Sequence, residues 1–576
     1  MEQTTEIPIT TGKRLNIFKR ILLYCLVISV VCAIALLFLR DNILAFILPV
    51  LPLDDGKTAA YYLDLYNIIV TEFGWTALVI IIAYAICDNK NASKVTLQAK
   101  EWAVKNHREF AVIVVVSFAS VATTVALFAL NQFPNSSDEY VYLYQAQTVS
   151  DGRLWYPASP VEEAFRFNHI AEKDGIRVGR FPPGWPLLMA IFLYVGVPAA
   201  LVNIILGVLA LFVFYRLALR LYGPLIATAG MSLLGISAFY IFNSASYFSH
   251  TSCVFEALVF TYGIYLYIDR KQPLFALMAG AALGLMLITR YYTAVLIGIP
   301  LCVMLFYHER LKSFKGFFWL AVGALPFFIY LLWYNYSITG DALEPVTVWA
   351  YDDEGLGFVN GHTLLKGLEH IMRRMLMFAY WVSPVMLLLY FVFLFRKRAA
   401  NTDRVVYVED YFFIFVIIGY LFYHEIGGNQ YGPRFYFEAF PFLLLLVLRT
   451  VFAENIKWAK ALIIASAIVM IVRLPLIAHR EHMIVKERTD VYRLVAKANI
   501  QNAVIFVANG TSVRRPMPAS DLTRNDIYYQ ASVLYAFDDA VSNNEVMKHF
   551  ADRTFYRYVR RDEDPSGVLI KLKGHQ

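Results

Sequence analysis

The chain has 576 residues, of which 59% are hydrophobic and only 16% charged, against roughly 25% charged in an ordinary soluble protein. That balance excludes a soluble enzyme, a disordered chain and a disulfide-stapled secreted scaffold. The net charge of +7 reports loop topology in a chain this apolar and is no footprint of nucleic acid.

Taken in chain order, runs such as Ile21–Leu39 and Phe110–Leu130 carry no charge, and a bilayer crossing takes about 20 residues. About thirteen spans are expected, at 20–39, 66–87, 110–130, 199–220, 225–243, 251–268, 274–289, 291–308, 317–336, 376–395, 409–424, 437–453 and 459–476. The first follows basic residues but is too long for the apolar core of a signal peptide, so it reads as an uncleaved span. Glu72 interrupts the start of the second. Cys25, Cys32, Cys87, Cys253 and Cys302 all fall in apolar segments, where no disulfide is implied.

Basic residues orient these spans. Lys19 and Arg20, Lys100 and Lys105, Arg216 and Arg220, Arg270 and Lys271, Arg396 and Lys397, and Lys457 and Lys460 fall in alternate loops, which stay cytoplasmic. An odd number of crossings then starts inside and ends outside. The outer segments are 131–185, 244–250, 337–375, 424–436 and the tail from about 477. Loops as long as the first are usually functional. The tail reads as a small α/β domain, with strands at 503–507, 554–559 and 568–572 and a helix at 544–550. The chain thus divides into 1–109, 110–476 and 477–576.

Polar chemistry gathers in the outer loops. Asp138 and Glu139 directly follow an apolar run. They suit a solvated helix start capped by Ser136 or Ser137. They equally suit a site in which one carboxylate is a general base or metal ligand. Neighbours on a helix point about 100° apart, so only one can face a given site. Tyr142 follows on the same helix. Arg180, just before Pro182-Pro183, reads as an interfacial anchor or a phosphate clamp. Arg290 stands at a tight outer turn. Glu256 lies inside a span, roughly 9 Å below the outer end, with Arg290 as a candidate partner. The last cluster runs from His424 and Glu425 through Tyr431 and Arg434 to Glu438. Arg434 and Glu438 are spaced for one helix face and an ion pair. His424 with carboxylates could ligate a metal, but the spacing matches no recognised ligand pattern.

The acid pair after an apolar span, the aromatic helix, the Pro-Pro-Gly before a helix and the Thr289-Arg290 turn resemble the polytopic glycosyltransferases of the C superfamily. Nearest in look is the bacterial group similar to protein O-mannosyltransferases and to the aminoarabinose transferase of lipid A. The likeness covers roughly 110–475. It implies an all-α polytopic membrane protein of about 13 transmembrane helices, with 110–476 as catalytic core and 477–576 as a small extracytoplasmic α/β domain. The two N-terminal spans and the tail depart from the plain pattern.

The resemblance further implies transfer of a sugar from a polyprenyl-phosphate donor to a lipid, glycan or protein acceptor outside the inner membrane, by one inverting displacement. Asp138, with Glu139 beside it, matches the catalytic acid. Arg180 stands where the aminoarabinose branch has a phosphate-binding Lys. Arg290 and the Tyr431–Arg434 stretch resemble cavity-lining positions. Membrane lipids are the other partners, and nucleic acid is not one. No cofactor is implied, and a divalent metal ion stays open. The rival readings are a lipid or glycan transporter or flippase, a glycan polymerase or ligase, and a non-catalytic sensor working through the tail.

Overall fold

The computed structural model describes residues 11–39, 59–310, 313–350, 356–359, 361–395, 407–425, 427, 430–454, 456–508, 510–511, 516–517, 521–560 and 566–572. Its longer helices are α1 (Thr11–Phe38), α2 (Ala59–Asp88), α3 (Lys90–Lys105), α4 (His107–Thr124), α5 (Ser137–Ser150), α6 (Gly184–Tyr194), α7 (Ala199–Tyr222), α8 (Pro224–Ile236) and α9 (Ala238–Ser244). They continue as α10 (His250–Arg270), α11 (Pro273–Thr289), α12 (Tyr291–Glu309), α13 (Ser313–Thr339), α14 (Leu364–Trp381), α15 (Pro384–Phe395), α16 (Phe412–Gly419), α17 (Phe440–Ala453), α18 (Lys457–Arg488), α19 (Asp490–Lys497) and α20 (Ala540–His549).

This is a multi-pass membrane protein. Among the described residues, seven helices are long and apolar enough to cross a membrane, and up to nine if each of two bent pairs is one span. Those nine fall on nine of the expected spans. The pair α8 and α9 turns by 65° and the pair α14 and α15 by 119°. Of the other four expectations, 20–39 lies almost wholly within the 28-residue α1, and three meet shorter helices. The 274–289 and 437–453 spans are α11 and α17, and 409–424 holds only the eight residues of α16 between 3-10 turns. Hydropathy counts apolar residues and is blind to where the backbone breaks.

Glu72 sits inside α2 because it has a partner. Arg473 of α18 grips its carboxylate with both terminal nitrogens, at 2.7 and 3.3 Å, and also covers Trp75 at 5.3 Å. A buried pair of this kind is costly to break by removing one partner, so it fixes α2 against α18. Elsewhere small residues let backbones meet. A Cβ at Gly280 would lie on the Leu320 carbonyl and one at Gly323 on that of Leu277, so α11 and α13 pack backbone to backbone as membrane helices with small residues do.

One end of the bundle gathers the start of α5 and α10, the turn between α11 and α12, and the segments 420–425 and 430–436. Above it lies the loop after α4, with strands β1 (Tyr156–Pro157), β2 (Ile170–Lys173) and β3 (Ile176–Gly179) in the order β1-β3-β2. The C-terminal sheet begins with β4 (Ala503–Val507). A two-residue ribbon follows, β5 (Gly510–Thr511) against β6 (Pro516–Met517), and then β7 (Val533–Phe537), β8 (Thr554–Arg560) and β9 (Gly567–Lys571). The sheet order is β7-β4-β8-β9, parallel except for β8 with β9. All five residues of β4 are buried. Alternate side chains feed two small cores: Val504 and Phe506 meet Ala164 and Phe165 of the first loop, and Ala503, Ile505 and Val507 meet Val491 and Tyr558. First loop and sheet therefore share a core.

Candidate functional site

The first turn of α5 separates the two acids. Ser136 caps the helix, its Oγ accepting from the Glu139 N–H at 3.2 Å, while the Glu139 carboxylate accepts from the Ser136 hydroxyl at 3.3 Å. That N-cap, with the hydroxyl donating back to the carboxylate, aims Glu139 inward. There its carboxylate also accepts from the Tyr247 N–H at 3.1 Å and Gln430 Nε2 at 3.4 Å, with no exposed surface. Burial pushes its pKa up to about 7, against the Tyr247 N–H and the Arg434 and Arg524 guanidiniums. Asp138, one residue earlier, points out of the core and keeps 25% of its side chain exposed.

Asp138 is the hub of a closed circuit. Arg434 Nη1 donates to its Oδ2 at 3.1 Å, and His169 Nε2 lies 3.3 Å from its Oδ1. Burial disfavours its charge, but Arg434, then His169 and Arg180, outweigh burial and hold the carboxyl below its ordinary value. Arg180 Nη1 donates to His169 Nδ1 at 3.2 Å. Phe181, next to Arg180, stacks on Tyr142 at 4.5 Å, and the Tyr142 hydroxyl meets Ser249 Oγ at 3.1 Å. Ser249 accepts from Arg290 Nη1 at 3.3 Å. Its neighbour Phe248 lies under the Arg434 guanidinium at 3.9 Å, which closes the ring. The first loop, α5, the start of α10, the α11–α12 turn and the 434 turn are thus joined in one network.

Some of the expected partnerships are corrected by this geometry. Arg290 does not pair with Glu256. Its Nε lies 3.3 Å from Glu438 Oε1, and its terminal nitrogens donate to Ser249, His250 Nε2 at 3.4 Å and the Tyr420 hydroxyl at 3.3 Å. Glu256 is buried and accepts instead from Ser252 at 2.6 Å and Thr289 at 3.3 Å. Nor do Arg434 and Glu438 form the i,i+4 pair. Residues 434–436 are a 3-10 turn and α17 starts only at Phe440, so the two side chains part, one to Asp138 and the other to Arg290 and His250.

Tyr431 has no exposed surface; it is packed among Phe242, Phe248 and Trp381 behind the network around Asp138, and lines nothing. His424 and Glu425 stand 3.5 Å apart with Glu425 59% exposed, and the Glu425 charge reaches His169. They form a rim and bring no further metal-type side chain with them. Among the described residues, no three of His, Cys, Asp and Glu converge in a way that would hold a metal ion.

Sequence reasoning missed His169 and Arg374. Arg374 of α14 donates to the carbonyls of Tyr420 at 3.0 Å and Glu425 at 2.7 Å and covers Phe435 at 5.0 Å, which shapes the 420–425 wall. Arg374 follows Arg373 on a helix that also carries Lys366, Glu369 and His370, so its charge did not stand out. His169 carries no spacing signal at all, and only its backbone φ of 68° sets it apart.

Residues 181–334 match the family model described as dolichyl-phosphate-mannose-protein mannosyltransferase, the group the sequence resembles. None of the curated proteins matches the chain. Among solved structures it is similar to ArnT from Cupriavidus metallidurans bound to undecaprenyl phosphate, at 10% identity over 79% of this chain and 97% of that one, with a TM-score of 0.48. It is also similar to the Archaeoglobus fulgidus oligosaccharyltransferase. The apo form gives 14% identity over 65% and 56% of the two chains and a TM-score of 0.38. The form with zinc and sulfate gives 17% over 64% and 53%, with a TM-score of 0.40.

Proposed function

We propose that this protein is a membrane glycosyltransferase that moves a sugar from a polyprenyl-phosphate donor to an acceptor hydroxyl on the extracytoplasmic side, inverting the anomeric centre in one displacement. The observation that carries the reading is the one network that links Asp138, Arg180, Arg290 and Arg434 at one end of the bundle. Arg216 and Arg220 near the end of α7, and Lys457 and Lys460 at the start of α18, lie away from it, which supports an outward-facing site. In this reading the bundle sits in the inner membrane, with the N-terminus cytoplasmic and the C-terminal sheet outside.

The chemistry follows from the charges. As the bond between anomeric carbon and phosphate oxygen breaks, negative charge grows on the phosphate. Arginines fixed in a water-poor site stabilise that charge. Arg434 keeps Asp138 ionised, and in this reading Arg180 and Arg290 meet the phosphate. Asp138, partly exposed and ionised, takes the proton of the attacking hydroxyl. The prenyl chain has a place to lie. An apolar cavity of about 490 Å³ is lined by Leu283, Leu287, Val295, Ile299 and Phe317, and Leu287 is only three residues from Arg290.

The test has two arms. The full chain is purified gently and its bound lipid identified by native mass spectrometry. The reconstituted protein is then offered a panel of undecaprenyl-phosphate sugars and the product followed. A co-purified polyprenyl phosphate and turnover that vanishes in Asp138→Asn are expected. Near-normal turnover in a folded Asp138→Asn protein removes the base, and solute transport without product would favour a transporter.

A further inference from the structure

We infer that His169 is the positioning residue of Asp138, held as the neutral imidazole with its proton on Nε2, and that it couples the carboxylate to whatever anion Arg180 binds. The inference rests on the donor reading above and sharpens it.

The tautomer follows from donor and acceptor counting. A guanidinium only donates, and Arg180 Nη1 is 3.2 Å from His169 Nδ1. Nδ1 must therefore accept, which leaves the proton on Nε2. That nitrogen faces Asp138 Oδ1 at 3.3 Å, where a donor is what a carboxylate requires. With Arg434 donating to Oδ2 at 3.1 Å and the imidazole nitrogen beside Oδ1, the two oxygens have different polar neighbours, which resists rotation of the carboxylate.

The backbone supports a functional placement. His169 has φ 68°, a left-handed conformation that costs a residue with a side chain and persists only where neighbours fix it. They do so here. The Arg180 N–H donates to the His169 carbonyl at 3.1 Å, Asn168 donates to Ser137 Oγ at 3.4 Å, and Phe181 covers the imidazole at 5.7 Å. The β2–β3 hairpin, turning at Asp174–Gly175, pairs Ile170 with Gly179 and so sets His169 opposite Arg180.

The charged groups facing the ring are Asp138 on α5, Arg180 on its own loop, Glu425 from the 420–425 wall and Arg434 from the turn before α17. Burial disfavours the imidazolium first, and the nearer arginine adds to this, while Asp138 opposes. The neutral ring is thus the resting form at neutral pH. When an anion draws Arg180 away, Nδ1 loses its donor while Nε2–H stays on Asp138. The ring then reports the anion to the base without a change of charge.

The experiment uses the full chain in lipid nanodiscs with ¹⁵N-labelled histidine, the His169 signals being those absent from His169→Gln. At pH 7 the ring is expected to show a protonated Nε2 and a bare Nδ1. Addition of undecaprenyl phosphate should move the Nδ1 signal in the wild type and leave it unmoved in Arg180→Gln. An Nδ1–H tautomer, an imidazolium at pH 7, or a ring unmoved by undecaprenyl phosphate that does bind the sample would overturn the inference. Failure of undecaprenyl phosphate to bind at all would instead strike the donor reading, and the tautomer still judges His169. With a donor from the panel, His169→Ala should lower turnover roughly ten- to hundredfold with the donor KM nearly unchanged. His169→Gln, whose amide N–H reaches about as far as Nε2, should recover most of that loss. Equal losses in the two variants would refute positioning through Nε2.

Discussion

Two adjacent acid pairs, Asp138-Glu139 and Glu409-Asp410, lie at opposite ends of the helix bundle. Glu409 accepts from the hydroxyls of Tyr222 and Tyr265, at 3.0 and 2.5 Å, and Asp410 from Arg449 Nη2 at 2.5 Å. Both are buried, and their partners come from the far ends of α7, α10 and α17. That knot ties three helices. At the other end Glu139 is equally buried, but Asp138 keeps a quarter of its side chain open and divides its oxygens between an arginine and an imidazole. Adjacent carboxylates in the sequence therefore say little alone. What separates a tie from a working group is an open lone pair with fixed cations around it.

The largest effect that can break this comparison is on turnover. Asp138→Asn keeps an oxygen for Arg434 but loses the base, and should cost about 10²- to 10⁴-fold in transfer with little change in melting temperature. Asp410→Ala should do the reverse. It leaves Arg449 without its carboxylate and should cost about 3 kcal/mol of stability, with turnover per folded molecule unchanged. Thermal melting and single-turnover rates on both variants decide it. If Asp410→Ala silenced transfer at an unchanged melting temperature, the division of labour between the two ends would be wrong.

Glu139 supplies a smaller and pH-dependent effect. Its folded pKa, raised to about 7 by burial, lies above the roughly 4.3 of an exposed glutamate. A raised carboxyl favours the protonated fold, so its contribution is complete below pH 4 and is lost as pH rises through about 7. Over that window the wild type should lose at most about 3 kcal/mol on this account, and Glu139→Gln should flatten that slope. Melting temperatures between pH 4.5 and 8 read this directly, and identical slopes would show that Glu139 does not titrate there.

The sequence discloses these regions unequally. Charge-free runs and basic loops announce the membrane spans, because a bilayer selects for composition. They do not announce the breaks at Ser237 and Ser383, or that α16 is only eight residues long. The strand Val533–Phe537 went unread because five apolar residues in a row fit a helix as well. At the site, Asp138, Arg180, Arg290 and Arg434 stood out as charges beside apolar runs; Arg434 pairs with Asp138, Arg180 reaches it through His169, and Arg290 is linked only through Ser249 and Tyr142. Their pairing was not legible. The spacing rule for Arg434 and Glu438 presumes a helix, and the chain there is a 3-10 turn. His169 was invisible because its role depends on the β2–β3 hairpin, which sets it opposite Arg180, and on the packing of that hairpin against α5.

Glu425 tests the comparison at its weakest point. It was nominated by its place beside His424, at the same end as Asp138, so nomination by neighbourhood predicts a large effect. Exposure predicts otherwise. With 59% of its side chain open and His424 at 3.5 Å, solvent screens it, and exposed pairs of this kind contribute roughly 0–1 kcal/mol. Glu425→Gln should therefore shift stability by less than about 0.5 kcal/mol and turnover by only a few fold. Its charge favours the imidazolium of His169, so its removal should move the acidic limb of the pH–rate profile slightly downward. A loss comparable to that of Asp138→Asn would mean that exposure is the wrong criterion and that the rim, with His424, takes part in the reaction.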